Sequence, residues 1–191
     1  AWGADKTEEI MAVLKEYNVG ATFFLVGFWV DKYPEMVKAI DENGFEIGTH
    51  SNTHPDMATI SAENIAKELD ISIEKIKAIT NKEVTLFRPP YGSYNNSLIN
   101  ACSSRGLIPI QWDVDSLDWK GLSAVDVTTR VMDRVQNGSI ILMHNNADNV
   151  VESTRMVLER LTKEGYKVTS IGELVYHSNY TIDNNGVQHS S

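Results

Sequence analysis

The sequence predicts an α/β fold: a parallel sheet with crossover helices, open or closed into a barrel. Two observations carry this reading. Short apolar runs alternate along the chain with longer amphipathic stretches, and a strand covered on both faces reads as a near-continuous apolar run. Gly44, Gly106, Gly138 and Gly165 follow amphipathic stretches, where a left-handed helix C-cap needs a residue without Cβ.

In chain order, residues 5–17 read as a helix, followed by the strand "ATFFLVG" (21–27). A helix over 31–43 leads to "FEIGTH" (45–50). Ser61-Ala-Glu-Asn opens a long helix over 61–79, because a serine hydroxyl at the cap accepts from a first-turn amide. The strand "TLFRPP" (85–90) comes next, then a helix over 94–105 and the strand "LIPIQWD" (107–113). Ser123-Ala-Val-Asp opens a helix over 123–136, which precedes "SIILMHN" (139–145). A last helix over 149–164 leads to "YKVTSI" (166–171). The polar end "SNYTIDNNGVQHSS" is expected to fray. With no internal linker, residues 1–178 are expected to form one domain and 179–191 a polar C-terminal tail.

The 191 residues suffice for a substantial core. Apolar residues make up 42% and charged residues 23%, the balance of an ordinary globular protein. A net charge of -9 without any basic run argues against nucleic acid as a partner. No apolar run reaches the roughly 20 residues that span a bilayer. The single cysteine, Cys102, excludes an internal disulfide and reads as an inert buried thiol.

In parallel α/β folds the reactive groups sit at strand C-termini and on the loops that follow. His50, Arg88 with Tyr91, Asp113 with Asp115, and His144 all fall at such ends. The pair His50 and His54 admits three readings. Two solvent-facing loop histidines is one. A helical zincin site is excluded, because Ser51 stands where its glutamate is needed and Pro55 biases His54 away from the right-handed helical region. The third, favoured by the convergence on one rim, is a divalent metal held by both imidazoles with a carboxylate and an open position. Asp113 and Asp115 read as helix caps or a solvated loop. His177 and His189 lie off the rim and carry no assigned role.

"HSNTHP", "RPPYG", "WDVDSLDW" and "ILMH" occur in that order and resemble four of the five motifs of the polysaccharide deacetylase family, the NodB-homology group or carbohydrate esterase family four. "YNVGATFFLVG" and "GFEIGTHSNTHP" also match its usual wording, so the resemblance covers nearly the whole chain. It implies a distorted (β/α) barrel with fewer than eight regular strands, and metal-dependent removal of N-acetyl groups from a GlcNAc-type polysaccharide, peptidoglycan or chitin-like. By this resemblance His50 and His54 are the metal ligands. Arg88 holds the catalytic base, and Tyr91 offers its backbone N–H to the oxyanion. Asp118 orients His144, the general acid, while Trp112 and Leu142 wall the acetyl methyl group. Zinc is the expected ion, with cobalt or another first-row metal equally suited to an N/O site. The resemblance also implies an extracellular or bacterial cell-surface setting.

The residues taken singly keep other readings open. Arg88 could be a structural ion pair and Trp112 plain core, while Trp119 could line a sugar subsite or cover the barrel edge. The family's first motif, roughly T-F-D-D-G, carries the base and the third metal ligand. Counting back from "ATFFLVG" puts both aspartates before Ala1, together with the first strand. Asp5 is the nearest remaining carboxylate, and its register suits a helix cap better than a ligand. An O-acetyl xylan esterase of the same family and a catalytically inactive glycan-binding domain are the rival functions.

Overall fold

The computed structural model describes residues 3–191. Six short parallel strands form two sheets. Strands β1 (Thr22–Leu25), β2 (Glu46–Thr49), β3 (Leu86–Phe87) and β4 (Ile108–Pro109) pair in sequence order, whereas β5 (Val114–Asp115) pairs only with β6 (Ile141–Leu142). Helix α1 (Thr7–Glu16) precedes them, α2 (Gly27–Lys32), α3 (Pro34–Glu42), α4 (Ala62–Thr80), α5 (Asn96–Ser103) and α6 (Ala124–Met132) lie between them, and α7 (Val150–Lys163) follows β6. A single turn, α8 (Ile171–Leu174), follows. The α/β class and the parallel pairing are those the sequence predicts. The strands wrap a cavity of about 620 Å³ without closing round it, with β1 of one sheet and β6 of the other among its walls.

Local chemistry explains most element ends. The Ser61 hydroxyl accepts from Asn64 N–H at 3.3 Å, and that of Ser123 from Asp126 N–H at 3.1 Å, so both predicted caps form. The helix expected over 31–43 is two helices, broken between Lys32 and Pro34. A proline disfavours helical geometry in the residue before it; Tyr33 accordingly sits at φ -130° while Pro34 opens α3.

Two expectations for the C-terminal part are corrected. Residues 166–171 form no ladder; Gly20 N–H reaches Val168 carbonyl at 3.3 Å, and the cavity lies alongside. The tail is ordered as an antiparallel hairpin of β7 (Tyr180–Ile182) and β8 (Gln188–Ser190). Asp183 closes its turn by accepting Asn185 and Val187 N–H at 2.8 and 3.0 Å, and Gly186 takes φ +80°.

The main core packs α1–α5 and α7 around the four-stranded sheet, with Trp29, Leu69, Phe87 and Leu98 buried at its centre. Each such side chain stabilises the fold by about 2–3 kcal/mol. Val114, Val131, Val157 and Leu161 form a smaller cluster beneath β5 and β6. Together the two clusters hold the six parallel strands so that their C-terminal ends face one rim.

Candidate functional site

His50 follows β2 directly. The preceding residue, Thr49, is anchored to α4: its hydroxyl lies 2.5 Å from Ser72 Oγ, which donates to Leu69 carbonyl at 2.9 Å. His50 Nδ1–H donates to the Arg88 carbonyl at 2.6 Å. That bond fixes ring orientation and tautomer and leaves Nε2 as the lone-pair nitrogen, the arrangement common to metal-binding imidazoles. Burial pushes the His50 pKa down to about 3, with the hydrogen bond to Arg88 opposing, so the ring is neutral. Burial also lowers that of His54.

The loop from Ser51 to His54 is held from three sides. Glu68 on α4 accepts Asn52 N–H at 2.8 Å, Thr53 N–H at 2.7 Å and the Thr53 hydroxyl at 2.6 Å. Gly27 and Phe28 N–H at the start of α2 donate to the Ser51 and Asn52 carbonyls at 2.9 and 3.1 Å. A Cβ on Gly27 would sit 2.1 Å from Asn52 Oδ1 and 2.9 Å from its Cα, so only glycine lets the loop pass this close. His54 takes φ +65°, well outside the right-handed helical region that Pro55 disfavours. Its ring lies edge-on to His50, centroids 4.8 Å apart, and edge-on to Tyr91 at the same separation. Tyr91 takes φ +59° and is 71% exposed.

Across the cavity, Asp118 is buried at 3% exposure and accepts twice from His144 at 2.8 Å: the backbone N–H on Oδ2 and Nδ1–H on Oδ1. Nε2 of His144 is thereby left to accept or carry a second proton. Arg88 ends β3 with 7% exposure. Its Nη2 donates to the Gln111 carbonyl at 3.1 Å, and its guanidinium lies over the rings of Phe24 and Trp112, 4.4 and 5.7 Å from their centroids. Burial alone lowers its pKa, to about 10. His50, His54, Arg88, Tyr91, Trp112, Leu142 and His144, all singled out in the sequence, line this one cavity. Asp118 stands behind His144.

Other sequence expectations fall elsewhere. Asp113 caps the approach to β6, accepting from Ser139 Oγ at 2.7 Å and Ile140 N–H at 2.6 Å, and Asp115 accepts Leu117 N–H at 2.9 Å. Asp5 does not cap α1: Lys6 holds that position with no side-chain bond, and Asp5 is exposed. Trp119 is 57% exposed at the rim. The aspartates expected before Ala1 lie outside the described residues. Glu68 and Gln111 were not legible as site residues, since nothing local in "AKELDIS" or "PIQWD" signals their long-range bonds.

Two imidazoles with neutral nitrogen donors suit a first-row divalent ion. They supply two ligands; among the described residues no third His, Cys, Asp or Glu joins them. No helix of the described residues is long and apolar enough to cross a membrane.

Residues 2–110 match the family model described as polysaccharide deacetylase. The chain is 33% identical to protein YlxY of Bacillus subtilis over 92% of its own length and 54% of that protein. It resembles the crystal structure of BA3943 from Bacillus anthracis, described as a CE4 family pseudoenzyme. That match has a TM-score of 0.90 and 36% identity, covering 93% of this chain and 63% of that one. A BA3943 mutant described as having restored enzymatic activity matches equally well. The peptidoglycan deacetylase PdaC of Bacillus subtilis matches with a TM-score of 0.84 and 31% identity, over 91% of this chain and 85% of the solved one. The chain thus spans about half the length of YlxY, and 35% of full-length PdaC.

Proposed function

This chain belongs to the polysaccharide deacetylase family, and on that premise we propose that it removes N-acetyl groups from a GlcNAc-containing polysaccharide, peptidoglycan or a chitin-like oligomer. The observation that carries this reading is the convergence of His50, His54 and the Asp118-held His144 on one cavity. His50 and His54 would hold a divalent ion, zinc by preference. Such an ion supplies Lewis acidity toward water and toward the acetamide oxygen.

The chain's own residues do the rest. Asp118 holds the Nδ1 proton of His144, so Nε2 is the atom that takes up a second proton and hands it to the departing sugar amine. Trp112 and Leu142 offer an apolar seat for the acetyl methyl group. Tyr91, next to His54, is suited to present its N–H to the carbonyl oxygen; preorganised donors of this kind are worth about 3 kcal/mol.

A second reading is a glycan-binding domain without turnover. It is favoured by the likeness to BA3943. One experiment separates the readings: acetate release from N-acetylated chito-oligosaccharides and peptidoglycan, with metal content measured in parallel. Release that rises with added zinc or cobalt, and is lost with metal content in His50→Ala, is the expected result. Glycan binding without release under any metal replaces the proposal with the binding domain; release from acetylated xylan alone replaces it with the esterase.

A further inference from the structure

We infer that Asn137, in the turn that leads into β6, is a site of spontaneous covalent modification. The backbone nitrogen of Gly138 attacks the Asn137 side-chain amide, and the residue becomes aspartate or isoaspartate. Glycine is the follower that hinders this attack least, because no Cβ crowds the attacking nitrogen. The chain has three such pairs, Asn43-Gly44, Asn137-Gly138 and Asn185-Gly186. Their glycines share one backbone region, at φ +79°, +86° and +80°, so hydrogen bonding has to separate them. Asn43 is held at both ends of its amide: Nδ2 donates to the Ala39 carbonyl at 2.7 Å and Oδ1 accepts from Lys15 at 2.8 Å. Gly44 N–H donates to the Asp41 carbonyl and Gly186 N–H to the Asp183 carbonyl, each at 3.0 Å. Asn137 and Gly138 are both exposed. Among the described residues, neither the Asn137 side chain nor the Gly138 N–H makes a hydrogen bond.

The reaction needs only hydroxide and water. The Gly138 nitrogen loses its proton to hydroxide and forms a bond to Asn137 Cγ. The Cγ–Nδ2 bond breaks and ammonia leaves, which closes a five-membered succinimide. Water then opens the ring at one of its two carbonyls. One opening leaves aspartate in an unchanged backbone; the other leaves isoaspartate, whose chain runs through the side-chain carbon. An N–H already spent on a carbonyl must first break that bond, which protects Gly44 and Gly186. Position 137 matters to the fold because its turn is tight. Ser139 N–H donates to the Gln136 carbonyl at 3.0 Å, and Ser139 Oγ accepts from Gln136 N–H at 3.0 Å. Gly138, Ser139 and Ile140 line the cavity, so isoaspartate lengthens the turn that seats β6 beside it. Either product adds a negative charge to a turn that the Asp113 carboxylate already holds.

The test is peptide mapping by mass spectrometry after incubation at pH 8, with the protein native or unfolded in urea. Trypsin places the three pairs in separate peptides, 39–67, 135–155 and 168–191. In urea all three are expected to gain one mass unit at comparable rates. In the native protein the gain should fall on Asn137, located by fragment ions. Asn43 and Asn185 should react at least about fivefold more slowly, since a hydrogen bond must open first. The modified 135–155 peptide should accept a methyl group from an isoaspartyl methyltransferase, and it should form faster at pH 8 than at pH 6. Asn137→Gln, whose longer side chain would have to close a six-membered ring, should leave position 137 unmodified and the other two pairs unchanged. Three results would each overturn the proposal. One is native Asn43 or Asn185 reacting as fast as Asn137. Another is a native Asn137 that stays intact while the urea-unfolded chain reacts. The third is a gain in the 135–155 peptide that persists unchanged in Asn137→Gln.

Discussion

Asp118→Asn tests how His144 is held, without reference to turnover. Both carboxylate oxygens of Asp118 accept from His144. A backbone N–H can only donate, so the amide oxygen of the substituted side chain must take the place of Oδ2, which turns its NH₂ toward the imidazole. Nδ1 can then serve only as an acceptor, and the ring proton moves to Nε2. One charge-assisted hydrogen bond is exchanged for a neutral one and the other is weakened, a loss of about 1.5–3 kcal/mol. The His144 side chain is 36% exposed, so solvent screening favours the lower end of that range. At roughly 2–4 °C per kcal/mol, Tm falls by about 3–6 °C. Nitrogen-detected imidazole spectra would report the tautomer and calorimetry the stability. An Asp118→Asn protein whose His144 keeps its proton on Nδ1, or whose Tm is unchanged, would refute the argument.

Three other perturbations follow from the same contacts. Ser72→Ala orphans the buried Thr49 hydroxyl and should cost about 1–3 kcal/mol in urea titrations; adding Thr49→Val should recover part of it, and a double variant no more stable than Ser72→Ala would contradict this. Burial raises the Cys102 thiol pKa to about 12, so an aromatic disulfide reagent at pH 8 should label it only across the unfolding transition; rapid labelling of native protein would show the site to be open. His50 is neutral in the fold down to about pH 3 but titrates near 6.5 when unfolded. Its contribution is therefore intact above pH 6.5 and lost as pH falls toward 3, by at most about 1.4 kcal/mol per unit. Metal-free His50→Asn should show a shallower acid slope, and equal slopes would remove His50 as the cause.

The rule that reactive groups gather at parallel strand ends was enough to bring His50, Arg88 and His144 together from the sequence, because a strand's C-terminus is set by its own apolar run. What supports them was not legible. Glu68 clamps the histidine loop from the middle of α4, and its neighbours form an ordinary amphipathic pattern; only the tertiary fold puts that helix beside Asn52 and Thr53. The split between β4 and β5 was hidden because "LIPIQWD" is a single apolar run, whereas the chain leaves one sheet at Pro109 and joins another at Val114. The C-terminal hairpin was legible in principle. Asp183 to Gly186 is a turn signal, but the polarity of the flanking residues masks the strands it joins.

Residue 88 addresses the cavity twice, through different atoms. Its carbonyl accepts from the His50 ring, while its side chain places a positive charge over the rings of Phe24 and Trp112. Every amino acid carries that carbonyl, so a substitution at this position removes the charge without removing the acceptor that the imidazole uses. Ring orientation and wall charge are thus carried by separate atoms of one residue.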